Sequence, residues 1–136
     1  MIIKDQILNK SGVPLFKNLL RVVSSSQKLT AANVANVSLP GYQSKSIDFK
    51  QEMAKAVRKQ KITLNVTNER HIPPPGRMRS IKVIKNIDDT NESGVNNVDI
   101  DKEMARLAEN QILYTYGTKA LAKKFYTLKT VIRGRS

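Results

Sequence analysis

A chain of 136 residues with 40% hydrophobic content suffices for one small domain but not for a large core. Its 24 Lys and Arg against 11 Asp and Glu give a net charge of +13, which suggests an acidic protein neighbour, anionic lipid or nucleic acid without choosing among them. The absence of cysteine excludes disulfides, thiolate catalysis and cysteine-based zinc sites, and with four Tyr, three Phe and no Trp the large anchors of a compact core are scarce.

The first residues place Lys4, Asp5, Lys10, Pro14, Lys17 and Arg21 among their apolar positions, so no cleavable signal peptide is expected. No apolar run approaches the roughly 20 residues that cross a bilayer. From Leu15 to Val37 the chain reads as a helix, because Leu15, Leu19, Val22, Ser26, Leu29, Asn33 and Asn36 alternate spacings of four and three. A second row, Phe16, Leu20, Val23, Gln27, Thr30, Val34 and Val37, widens that stripe. The helix is expected to stop near Ser38, since Pro40 disfavours a helical Leu39 and Gly41 supplies a turn beside Tyr42.

Ile47 to about Gln60 reads as a short helix, with Asp48 at its start and Arg58 and Lys59 at its end as the helix dipole prefers. Residues 61–97 carry KITLNV, HIPPPG, RSIKVIKN and a polar DDTNESGVNN, a pattern of two short strands with irregular connections. The prolines favour an extended conformation, and the Asn, Asp, Ser and Gly cluster has a linker composition.

The C-terminal pattern is the strongest. Ile100, Met104, Leu107, Gln111, Tyr114, Thr118, Leu121, Phe125, Leu128 and Ile132 keep the four-three alternation throughout, predicting one long amphipathic helix of roughly 50 Å. Asp99, Asp101 and Glu103 at its start and Lys119, Lys123, Lys124, Lys129, Arg133 and Arg135 towards its end complement the macrodipole.

A stripe that long needs another helix to cover it, and the N-terminal helix is the candidate. The expected fold is therefore mainly α: an N-terminal axial helix and turn over 1–46, a middle segment with a small β or irregular part over 47–97, and a C-terminal axial helix over 98–136, together one domain. Two paired helices leave apolar surface for neighbouring subunits, and repetition of such a contact builds a tube or filament. The candidate assembly residues are Leu15, Leu19, Val22, Leu29, Asn33, Asn36, Pro40, Gly41 and Tyr42 at one end of the sequence. At the other they are Met104, Leu107, Tyr114, Leu121, Phe125, Leu128 and Ile132.

NVANVSLPGYQSK at 33–45 resembles the N-terminal signature of the flagellar rod and hook axial proteins, an Asn-x-x-Asn-x-x-Thr-Pro-Gly-Tyr pattern in which Ser38-Leu39 here replaces the commoner pair. IDF at 47–49, RHI at 70–72 and NNVDIDKEMARLAENQILYTYGTKAL at 96–121 are similar to the proximal-rod branch of that family. The resemblance implies a non-enzymatic, self-assembling rod subunit in the periplasmic part of the basal body, exported unfolded through the flagellar type III gate. It also implies neighbours: other copies, other rod proteins, the membrane-embedded base (MS) ring and the small adaptor FliE.

Blander and rival readings bound this one. His71 is the single histidine, so metal or general-base chemistry is not expected and a loop residue is. Asp99, Asp101 and Glu103 lack the glycine and terminal glutamate of a calcium loop, and Gly76 and Gly94 are isolated, so neither a metal nor a phosphate-binding loop is expected. No cofactor is implied. Asn33 and Asn36 are poor helix formers one turn apart, and the resemblance favours their amides bonding the Leu39–Tyr42 turn or a neighbour over simple fraying. The alternative function is a basic nucleic-acid-binding protein. Tyr114, Tyr116, Phe125 and Tyr126 lack a regular interleaving with Arg, however, and read as packing residues.

Overall fold

The computed structural model describes residues 11–58, 80–87 and 95–134. Helix α1 spans Val13–Ala35, strand β1 Lys45–Ile47, helix α2 Phe49–Arg58, strand β2 Val83–Lys85 and helix α3 Ile100–Arg133. The KITLNV segment, His71, the prolines of HIPPPG, and Asp88, Asp89 and Glu92 lie outside the described residues.

Local chemistry sets each boundary. Gly12 begins α1 in the left-handed conformation with Pro14 in the first turn, where a missing N–H costs nothing. The helix ends at Ala35, and the chain turns through Ser38 to Gly41, whose φ of 72° suits glycine. The Asp48 carboxylate accepts from Gln51 N–H at 2.8 Å and so caps α2, which starts two residues later than its pattern suggested because Ile47 is drawn into β1. Asp99 caps α3 by accepting from Lys102 N–H at 3.0 Å, and left-handed Gly134 closes it.

α1 and α3 run antiparallel in register. Asn33 meets Glu103, Ser26 and Asn110 line one cavity of about 210 Å³, and the methyls of Leu19 and Leu20 sit over Gly117. These layers fall one heptad apart on both helices. Gly117 permits the close approach, since a Cβ there would lie 3.0 Å from Leu20 Cδ2 and 3.3 Å from Leu19 Cδ2. Among the described residues Leu19, Val22, Val23 and Val98 form the buried apolar core, and α2 and β1 pack on α1.

The seam of α3 differs from its apolar pattern by one residue. Its buried positions are Glu103, Asn110 and Gly117. Leu107, Leu121 and Leu128 are half-buried, while Ile100, Met104, Gln111, Tyr114, Phe125 and Ile132 are exposed. Two acceptor- and donor-bearing side chains and a glycine thus occupy the face that apolar counting assigned to its neighbours. On α1 the expected seam largely holds, with Leu19, Val22 and Asn33 buried and Leu15 exposed.

Among the described residues the sheet is two-stranded and antiparallel, pairing Lys45 with Lys85, Ser46 with Ile84 and Ile47 with Val83. RSIKVIKN does contain a strand, but its partner comes from the segment after the turn, where no strand was expected. Isolated two-stranded sheets are marginal. Here side-chain amides extend the ladder. Asn33 Oδ1 accepts from Lys45 N–H and Asn33 Nδ2 donates to Lys45 C=O, each at 2.9 Å. Asn97 inserts at the sheet end, accepting from Ser44 N–H at 2.9 Å and donating to Asn86 C=O at 2.7 Å.

Candidate assembly surface

The conspicuous site is the clasp that joins the end of α1, the turn, the sheet and the start of α3. Asn33 is fully buried at its centre. Besides Lys45, it accepts from the Tyr42 hydroxyl at 3.1 Å and donates to Glu103 Oε2 at 3.1 Å. Every hydrogen-bonding capacity of one amide is used. Glu103, also buried, takes Arg106 Nη1 on its other oxygen at 2.6 Å, so the carboxylate has a cationic partner within its own helix.

Asn96 works beneath the turn. Its Nδ2 points into the carbonyls of Asn36, Val37 and Leu39 at 3.0, 2.8 and 3.0 Å, satisfying oxygens that the end of α1 leaves without helical partners. Its Oδ1 accepts from Val98 N–H at 2.9 Å, holding the entry to α3. Tyr42 N–H donates to Leu39 C=O at 3.2 Å. The result is a turn braced from inside while Leu39, Pro40 and Gly41 remain exposed.

The two asparagines singled out in the sequence therefore part company. Asn33 does bond the turn, through Tyr42 and Lys45. Asn36 instead donates to Ala32 C=O of its own helix at 2.6 Å. Two bracing amides fall in the polar cluster whose composition suggests a linker: Asn96, which binds the turn, and Asn97, which binds the sheet end. The signal that would have found them is a tandem Asn immediately before a capped helix.

A second carboxylate, Glu52 on α2, is buried and accepts from Lys55 Nζ at 2.7 Å and from Lys82 N–H at 3.4 Å. The Lys55 hydrogen bond is the main cause that holds its pKa below the ordinary glutamate value, against the opposing effect of burial. Backbone and side-chain hydrogen bonds from Lys102 likewise lower the Asp99 carboxyl. Both groups tie secondary structure together. Among the described residues no group of His, Cys, Asp and Glu is arranged to hold a metal ion, and no helix is long and apolar enough to cross a membrane.

The surface opposite the clasp is apolar and basic. In the helix register Val13 falls opposite residue 123, so α3 runs on past the start of α1 for roughly ten residues, about 15 Å. Phe125, Tyr126, Val131 and Ile132 are exposed on this extension at 49%, 73%, 73% and 82%, beside Lys123, Lys124, Lys129 and Arg133. An extension this apolar, unshielded by α1, is a surface for contact.

The chain matches no protein-family model. It is similar to the flagellar basal body rod protein FlgB of Bacillus subtilis (strain 168), at 30% identity over 118 residues, covering 87% of this chain and 90% of the relative. FlgB of Borrelia hermsii is 30% identical over 136 residues, with coverage of 90% and 96%. FlgB of Salmonella typhimurium is 28% identical over 121 residues, with coverage of 85% and 88%. At that identity and coverage, the chain belongs to the family of flagellar basal body rod proteins FlgB.

Proposed function

We propose that the chain is a structural subunit of the proximal rod of the flagellar basal body, assembling through its terminal helices with other copies and other rod proteins to carry torque from motor to hook. The observation that supports this most directly is the extension of α3, whose apolar residues have no cover from α1. A monomer meant to work alone has no use for such a surface, whereas a subunit of a tube needs one. In this reading Leu19, Val22, Leu29, Asn33, Asn36 and Tyr42 hold the helix pair and turn together, with Leu107, Leu121 and Leu128. Leu15, Pro40, Gly41, Met104, Tyr114, Phe125 and Ile132 face neighbouring subunits. The base ring and FliE are its expected neighbours at the lower end, and the flagellar type III apparatus its route to the periplasm.

Deletion of the gene in its host tests the proposal. Basal bodies examined by electron microscopy are expected to keep the base ring and lack rod, hook and filament, with motility lost. Intact, rotating flagella would remove the rod assignment.

A further inference from the structure

We propose that the cleft beside the Leu39–Tyr42 turn docks an extended acidic segment of a neighbouring protein, with a carboxylate seated between Lys45 and Lys85. The inference rests on the rod reading only for where the neighbour is sought. The cleft has a volume of about 340 Å³ and is lined by the turn, Gln43, Lys45 and Lys85, with no acidic residue among the described residues of its walls. Lys45 and Lys85 face each other directly across the sheet. The Asn86 N–H bond to Ser44 C=O at 2.9 Å makes the adjacent pair the hydrogen-bonded one, so the lysines form the closer, non-hydrogen-bonded kind.

Like charges in that position repel. Among the described residues neither lysine has an ion-pair partner; the Lys45 ammonium lies 5.8 Å from the Tyr42 ring centroid. An unneutralised pair on a rigid wall is a seat for an anion. The buried amides of Asn33 and Asn96 brace a turn whose Leu39, Pro40 and Gly41 are exposed, which preorganises Leu39 and Pro40 as an apolar flank.

The backbone points to a polypeptide. At a non-hydrogen-bonded pair the N–H and C=O groups turn away from the partner strand. Those of Lys45 are taken by Asn33, and those of Lys85 face the open edge without a partner among the described residues. An extended peptide matches both a donor and an acceptor there, whereas lipid or nucleic-acid phosphate offers acceptors only.

The test is zero-length carbodiimide crosslinking of purified basal bodies, read by mass spectrometry. Absence of the chain from those particles would sink the rod reading itself, before crosslinker is added. With the chain present, the expected product joins Lys45 or Lys85 to an Asp or Glu of another chain. Lys45→Arg with Lys85→Arg is expected to keep motility but lose that product, because the charge remains and the amine does not. Lys45→Glu with Lys85→Glu is expected to reduce incorporation into basal bodies about tenfold or more, since like charges then meet across the contact. Incorporation at the parental level in the glutamate variant would overturn the proposal. So would crosslinks confined to the chain itself, or binding to phosphatidylglycerol vesicles that the glutamate variant loses while no interchain crosslink forms.

Discussion

Asn33 shows how much one side chain can carry in a domain with four buried apolar residues among those described. Its amide serves α1, the turn, β1 and α3 at once, so truncation leaves the Lys45 backbone, the Tyr42 hydroxyl and one Glu103 oxygen without their partner. Asn33→Ala is expected to cost about 2–4 kcal/mol in urea denaturation of the purified chain, because buried polar groups lose partners they cannot replace. The Lys45 amide should lose its protection from hydrogen exchange in the same variant. A loss below about 0.5 kcal/mol would mean these groups already reach water. Residue chemistry alone shows Asn33 as a poor helix former in a helix, and the family signature adds the expectation of a bond to the turn; its partners Lys45 and Glu103 lie 12 and 70 residues away, beyond any local pattern.

Among the elements, α2 is attached to the approach to β2 through Glu52, which accepts the Lys82 N–H. Its pKa in the folded chain is lowered, first by the Lys55 hydrogen bond, so the stability it contributes is fully present above the ordinary glutamate value. That contribution is lost as pH falls from the ordinary value through the lowered one. Glu52→Gln should therefore flatten the acid limb of the stability curve in that window, measured by thermal melts across a pH series, while an unchanged limb would relocate the acid sensitivity elsewhere. The long helices were legible because their apolar spacing repeats over many turns, which no other structure produces. The α3 seam lies one residue from the apolar stripe because Glu103, Asn110 and Gly117 carry no apolar signal, although a glycine is what close packing requires there and Glu103 is what accepts from Asn33. β1 escaped notice because Lys-Ser-Ile is too short to alternate, and its existence depends on Asn33, Asn97 and a strand far along the chain.

For the whole molecule, covered and uncovered parts of α3 should respond differently to the same change. Phe125→Asp with Ile132→Asp alters exposed residues of the extension, so the purified chain is expected to keep its stability within about 0.5 kcal/mol per site while swarming is abolished. Leu121→Asp, at a half-buried position of the helix pair, should lower stability and swarming together. Normal swarming in the double variant would show that the extension is not a contact surface. The bond from Asn33 to Glu103 also bears on how the fold is reached. It closes a loop of 70 residues, at an entropic cost on the order of 4 kcal/mol before any seam contact repays it. Helical turns can flicker early, but the contacts that stabilise them are non-local, so the pair forms late and cooperatively. Any circumstance that holds the two ends of the chain apart, such as threading through a narrow passage or emergence from a ribosome, therefore keeps the core unbuilt until both helices are free to meet.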